Sequence, residues 1–119
     1  MRTFLLLLLL SQTQPQTQFT HNRFTEGGKT FSQDGTSLMT DCMSKVEQDP
    51  AASMFCAGYV EGIADVLSDS AICISPEVDG KQLVNAVVRY TEKHQEALHR
   101  PASRIVVEAL KEQYPCSLK

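Results

Sequence analysis

Four cysteines constrain this chain more than any other feature, because cross-links restrict how its helices can pack. They lie at Cys42, Cys56, Cys73 and Cys116 of 119 residues, and apolar side chains recur at helical spacing between them. Four cysteines in a small chain predict two disulfides with three possible pairings. A chain of this length supports one domain with one modest core. We therefore expect an all-α, compact four-helix domain with two disulfides and a flexible N-terminal tail.

The first two helices are predicted over residues 38–48 and 51–69. They meet at Asp49 and Pro50, where the aspartate caps the second helix and the proline occupies its first position. Ser37 is the expected cap of the first helix. One stripe at helical spacing is expected to face the core from the second helix: Phe55, Tyr59, Gly62, Ile63 and Val66.

The third and fourth helices are bounded by equally local signals. Asp79 and Gln82 are spaced like a capping box at the start of the third helix. Pro101 starts the fourth helix, and Pro115 ends it. No alternating strand pattern competes with these helices.

Helix order selects one disulfide pairing. If the first two helices are antiparallel, Cys42 and Cys56 lie about equally far from the turn between them, which favours their pairing. In an up-down bundle the second and fourth helices end on the same side, which favours a bridge from Cys73 to Cys116. Zinc ligation is disfavoured because no paired short cysteine spacing is present.

The N-terminal region has the order of a secretory signal. Arg2 precedes an apolar run over residues 4–10, which is too short to span a bilayer. We expect a signal peptide and spacer over residues 1–18, a flexible tail over 19–36 and the helical domain over 37–119. A frayed apolar terminus is the alternative. The signal predicts an exported protein without a membrane span.

The charge distribution argues against a nucleic-acid partner. The formal net charge is -3, and no basic block is present. Glu61, Asp65 and Asp69 recur every four residues along the second helix, where like charges repel. They form a solvated face, pair with Arg89 or Arg104, or present an acidic patch to a basic partner.

Two glycines, Gly58 and Gly62, lie one turn apart in the second helix. Each costs about 1 kcal/mol relative to alanine in a helix interior. We expect the missing side chains to let another helix or a partner protomer approach closely. A ligand touching that backbone is the alternative.

The connection between the third and fourth helices is the candidate partner-binding site. It concentrates five polar side chains between two helices, as recognition loops do: His94, Gln95, Glu96, His99 and Arg100. The alternative is an ordinary solvated turn in which His99 caps a carbonyl. A metal site on the histidines is disfavoured, since only Glu96 lies near them. No metal and no cofactor are expected.

Enzymatic chemistry has no support in the residue pattern. The chain contains no nucleophile-elbow serine, zincin helix or phosphate-binding glycine loop. A cysteine nucleophile would need a free thiolate, and all four cysteines have expected partners. We expect a protein that is not an enzyme.

A set of short motifs runs in order through the second half of the chain. They are residues 55–65 (FCAGYVEGIAD), Cys73-Ile74-Ser75-Pro76, Gln82-Leu83-Val84 to Tyr90, His94, Leu98-His99-Arg100-Pro101-Ala102, Ala109-Leu110 and Tyr114-Pro115-Cys116. This set resembles the Tai family of type VI secretion amidase-immunity proteins, also called the Rap-type immunity domain. The resemblance covers roughly residues 42–116.

The resemblance implies a periplasmic, disulfide-bonded, all-α homodimer. Such a protein binds and inhibits a peptidoglycan amidase effector that a neighbouring bacterium injects. In relatives the inhibitory surface comes from the last two helices and nearby loops. The resemblance therefore implies partner-binding residues in the connection between the third and fourth helices and at the adjoining helix end: His94, Gln95, Glu96, His99, Arg100 and Arg104. Two alternatives remain, a periplasmic acid-stress chaperone and a generic envelope interaction domain.

Overall fold

The computed structural model describes residues 33–117. Within this range the chain forms four α-helices and one 3-10 helix, and it contains no β-strand beyond isolated bridges. The elements in order are α1 Gly35–Cys42, α2 Pro50–Leu67, α3 Gly80–Lys93, the 3-10 helix Gln95–His99 and α4 Ala102–Gln113. The prediction of an all-α, four-helix domain is confirmed. The predicted signal peptide and most of the predicted tail lie outside the described residues.

Helix α1 begins earlier and ends earlier than predicted. Asp34 is its N-cap, because the Asp34 carboxylate accepts a hydrogen bond from the Ser37 backbone N–H at 2.8 Å. Ser37 is therefore the capped residue and not the cap. The helix ends at Cys42, and residues 43–49 form turns that lead into α2. The last two residues of the predicted tail belong to α1.

The two aspartate caps predicted farther along the chain are present. Asp49 accepts from the Ala52 backbone N–H at 3.0 Å, with Pro50 at the first helical position. Asp79 accepts from the Gln82 backbone N–H at 2.8 Å, and the Gln82 side chain accepts from the Asp79 N–H at 2.9 Å. This reciprocal pair is a complete capping box.

The core uses a face of α2 that only partly overlaps the predicted one. Ala52, Cys56, Val60 and Ala64 are buried, whereas Val66 is 79% exposed. Of the predicted stripe, Tyr59 and Ile63 pack against the core, and the other members are exposed. The helix is apolar on two faces, and periodicity alone cannot tell which face the neighbouring helices cover. The other buried apolar side chains come mainly from α1, α3 and α4: Leu38, Met39, Ile72, Leu83, Ala86, Val87, Ala97, Ala102, Ile105, Val106, Ala109 and Leu110.

Both predicted disulfides are confirmed. Cys42 at the end of α1 is bonded to Cys56 in α2, and their Cα atoms are 5.0 Å apart. Cys73 is bonded to Cys116, with Cα atoms 4.8 Å apart. The second bridge connects the segment after α2 to the segment after α4. A backbone hydrogen bond from the Cys73 N–H to the Tyr114 carbonyl, 2.9 Å long, reinforces this connection.

The α2 glycines do not serve packing between helices of this chain. A Cβ built on Gly58 or Gly62 would meet no atom within 4 Å. The prediction that another helix of the same chain approaches there is wrong, because the glycines lie on the face of α2 that points away from α1, α3 and α4. Close approach by a second protein stays a prediction. Among residues 33–117, no helix is long and apolar enough to cross a membrane.

Candidate partner-binding site

The predicted site residues surround a tight turn between α3 and α4. His94 ends α3, the 3-10 helix Gln95–His99 follows, and Arg100 leads into α4 through Pro101. Two backbone hydrogen bonds of 2.9 Å close the turn, from the Ala97 N–H to the His94 carbonyl and from the Arg100 N–H to the Ala97 carbonyl. Ala97 is buried beneath it. Residues 94–100, called the 94–100 turn below, are therefore internally ordered.

The start of α1 holds the 94–100 turn in place. The Gly35 N–H donates to the Arg100 carbonyl at 3.0 Å, and the Ala102 N–H donates to the Gln33 carbonyl at 2.7 Å. Gly35 has no room for a side chain, since an added Cβ would lie 2.9 Å from the Leu98 carbonyl oxygen and would overlap the Ile105 side chain. Residues 33 and 35 thus hold the end of the turn and the first residue of α4 in fixed positions.

Arg100 is paired with a carboxylate of this chain at the protein surface. Its guanidinium donates two hydrogen bonds to the Glu108 carboxylate of α4, one of them from Nη1 to Oε2 at 2.9 Å. The Tyr90 hydroxyl of α3 also donates to Glu108 Oε2 at 2.9 Å. Glu108 therefore ties the turn to both helices that flank it, and a paired guanidinium of this kind is geometrically fixed.

Two pKa shifts follow from this cluster. Hydrogen bonds from Arg100 and Tyr90 stabilise the charged carboxylate and lower the pKa of Glu108. Burial, assisted by the neighbouring Glu108 carboxylate, raises the pKa of the Tyr90 hydroxyl. Near neutral pH the cluster consists of a carboxylate, a guanidinium and a neutral phenol, which is the state that makes all three hydrogen bonds.

The remaining predicted residues present polar groups to solvent. Gln95, Glu96, His99 and Arg104 are exposed. His94 is half-buried, with its ring centroid 4.4 Å from that of Tyr90 and its Nδ1 3.3 Å from Glu96 Oε1. No group of three or more potential metal ligands is found within residues 33–117.

A groove of about 200 Å³ lies between α3 and α4 beside the turn. Arg89 and Lys93 project from α3, one turn apart, and Glu112 and Gln113 line the opposite wall from α4. Tyr90 links the groove to the turn, since it lines the groove and also packs against His94. The turn and the groove form one polar surface on the last two helices.

The comparison with known families identifies the chain. The family model of the Rap1a immunity proteins matches residues 34–116. The chain belongs to this family. The match begins at the Asp34 cap and ends at Cys116, so it includes all four helices, the 94–100 turn and both disulfides. A comparison with curated protein sequences finds no match. Membership of the Rap1a family supports binding of a partner effector protein.

Sequence reasoning missed the residues that hold this site. Gln33 and Gly35 fell in the predicted tail, and Glu108 and Tyr90 were not assigned to the site. The contacts of Gln33 and Gly35 with the turn and the start of α4 span more than 60 residues of sequence, and Glu108 meets Arg100 eight residues away across a helix start, so helical periodicity reports neither. The one available signal was local: an Asp-Gly pair three residues before Ser37, typical of a helix start.

Proposed function

We propose that this Rap1a protein is a periplasmic immunity protein that binds and inhibits a peptidoglycan amidase effector delivered by type VI secretion. The family match over residues 34–116 carries the proposal. Family membership supports an immunity protein that binds an effector. The proposal adds the class of effector, the assignment to the Tai type and the periplasmic location. Two disulfides are consistent with an extracytoplasmic protein.

The 94–100 turn is the proposed inhibitory element. A binding surface that is already rigid loses little conformational entropy when the partner binds. The contacts of the turn with Gly35 and Glu108 provide that rigidity. His99 on the turn and Arg104 in the first turn of α4 are exposed and are available as hydrogen-bond donors. Arg100 is held by its ion pair with Glu108, so its role in the proposal is positioning.

The protein acts by occupying the amidase and catalyses nothing itself. Immunity proteins of this family are generally non-catalytic, and blocking a cleft requires only complementary shape and charge. The resemblance to the Tai family also suggests a homodimer. Light scattering of the oxidised protein tests that part of the proposal separately.

The test is retention of an amidase by the oxidised protein. Immobilised protein is exposed to candidate type VI effectors, and retained proteins are identified by mass spectrometry and assayed for peptidoglycan cleavage. A stoichiometric, inactive amidase complex is expected. Retention of many unrelated envelope proteins, increasing at acid pH, would favour a chaperone instead.

A matched pair of variants tests the turn. Arg104→Glu reverses an exposed charge beside the turn, and Lys111→Glu reverses an exposed charge farther along the same helix. We expect Arg104→Glu to weaken amidase binding and Lys111→Glu to leave it unchanged. Equal affinities for the two variants would remove the turn from the interface.

A further inference from the structure

The outer face of α2 exposes apolar side chains that the core does not use. Met54 is 71% exposed and Val66 is 79% exposed. Gly58 and Gly62 lie between them with no atom near their missing side chains. The surface, called the α2 outer surface below, consists of Met54, Gly58, Glu61, Gly62, Asp65 and Val66.

Nothing within the described chain explains the two glycines. Glycine in an exposed helix interior lowers helix stability, and alanine would fit at both positions because the surrounding space is open. Neither glycine has a left-handed backbone conformation, since both lie within α2. What glycine does allow is the close approach of another backbone to the helix. An approach from outside residues 33–117 is therefore the remaining structural use of these positions.

The negative charge of α2 and its flanking segments favours a positively charged partner. Residues 46–80 contain no lysine or arginine, and they contain seven acidic residues: Glu47, Asp49, Glu61, Asp65, Asp69, Glu77 and Asp79. No salt bridge of Glu61, Asp65 or Asp69 to a cation is found within residues 33–117, so the predicted pairing with Arg89 or Arg104 is wrong. These acids are therefore open to a cation from outside the described residues.

A cleft extends the α2 outer surface toward the start of α3. It has a volume of about 360 Å³, and Glu61 and Asp65 form part of its rim. Ala64, Ile74 and Leu83 supply apolar lining. A lysine or arginine side chain matches this combination, since its methylene stem packs on apolar surface while its charged end meets a carboxylate.

We propose that the α2 outer surface and its cleft dock a segment of a partner protein that carries lysine or arginine beside apolar side chains. A second copy of this chain is a poor occupant, because it would bring the same carboxylates and no compensating cation from residues 46–80. The surface lies outside the 94–100 turn, so it goes beyond the proposed function and is tested without the amidase.

The first test uses a defined probe and the full oxidised protein. A short amphipathic peptide of leucine and lysine is titrated into ¹⁵N-labelled protein, and backbone amide shifts are followed by NMR. The matched peptide has glutamate in place of every lysine. We expect saturating shifts at Gly58, Gly62, Ser68 and Gly80 with the lysine peptide alone. Shifts spread evenly over all acidic surfaces would overturn the proposal.

Two pairs of charge-neutralising changes localise the interaction. Glu61→Gln with Asp65→Asn removes two carboxylates from the surface, whereas Glu47→Gln with Glu92→Gln removes two exposed carboxylates elsewhere. The first pair should weaken peptide binding about tenfold, and the second should change it little. Equal losses would indicate attraction to net charge alone and would contradict the docking surface.

Substitution of a glycine separates an effect on stability from an effect on peptide binding. Gly58→Ala is expected to raise Tm by about 4–8 °C and to weaken peptide binding at the same time. Asn85→Ala, at an exposed position of α3, should raise Tm without changing binding. Unchanged peptide affinity in the glycine variant would remove close approach from the proposal.

The competing occupant is tested by the mass of the protein in solution. Light scattering is compared for the unchanged protein and for Gly58→Leu, which fills the open space on α2. We expect the same mass for both. A dimer that becomes a monomer in the variant would assign the surface to a second copy and overturn the proposal.

Discussion

The outer face of α2 and the 94–100 turn differ in which of their side chains bond or pack within the chain and which face solvent. The turn is rich in polar side chains, yet its arginine and the tyrosine of α3 beside it are hydrogen-bonded to Glu108 of the same chain. Helix α2 is rich in apolar side chains, yet part of them faces solvent. Composition alone therefore does not show which side chains of the turn or of α2 are available to a partner. Polar groups can bond within the chain, and a small core cannot cover every apolar side chain.

The two regions are also held in different ways. One disulfide joins α2 to α1 through Cys56, and the other fixes the segment after α2 through Cys73. The turn has no disulfide and relies on backbone hydrogen bonds to Gln33 and Gly35. Covalent bonds thus support the helix that buries only one of its two apolar faces, and close packing supports the turn.

The largest expected effect comes from removing the covalent support. Loss of the bridge between Cys73 and Cys116 frees a loop with a sequence separation of 43 residues, which corresponds to about 4 kcal/mol in the chain-entropy model. Loss of the bridge between Cys42 and Cys56, with a separation of 14, corresponds to about 3 kcal/mol. Urea unfolding of the two paired serine variants measures both free energies.

The order of these losses tests the role given to each bridge. The variant without Cys73 and Cys116 should be the less stable one, and both should unfold at lower urea than the oxidised protein. Reduction of the unchanged protein serves as the control, since it removes both bridges without substitution. A larger loss from the shorter loop would show that the bridge to α1 supports α2 beyond its effect on chain entropy.

Substitution of one glycine in each region should change stability in opposite directions. Gly35→Ala forces a Cβ toward the Leu98 carbonyl and the Ile105 side chain, and overpacking of this kind costs roughly 1–3 kcal/mol. Gly62→Ala meets open space and should stabilise by about 1 kcal/mol. Thermal unfolding of both variants measures the difference.

A third variant separates helix propensity from crowding at α1. Thr40→Ala changes an exposed residue of the same helix, whose hydroxyl donates to the Thr36 carbonyl within α1, and adds no bulk toward Ile105. It should change Tm far less than Gly35→Ala does. A gain in stability from Gly35→Ala would mean that the start of α1 does not clamp the turn.

Local signals predicted the helices and the cross-links of this fold but not its surfaces. Asp49, Asp79 and Pro101 act through contacts within a few residues, so their sequence patterns are sufficient. The burial of one α2 face depends on which neighbours reach it, and the clamp on the turn depends on contacts between Gly35 and Arg100. Tertiary packing sets both the buried face and the clamp. Because α2 carries two apolar stripes, the sequence pattern alone does not show which stripe the other helices cover.

The smallest expected effect concerns the ion pair that ties the turn to α4. Glu108→Gln removes the charge that Arg100 meets and should lower the free energy of unfolding by less than about 1 kcal/mol at neutral pH, since the pair is partly exposed to solvent. Because hydrogen bonds from Arg100 and Tyr90 lower the pKa of Glu108, its stabilising effect is present above the unfolded value of 4.5.

That effect should disappear as the pH falls from about 4.5 through the lowered pKa of the folded protein. Unfolding free energies of the unchanged protein and of Glu108→Gln should therefore converge in acid and differ at neutral pH. Glu112→Gln, one turn farther along α4, is the control and should follow the unchanged protein. A gap that stays constant across this pH range would mean that Glu108 holds the turn through shape and neutral hydrogen bonds, and that its charge contributes nothing to the clamp.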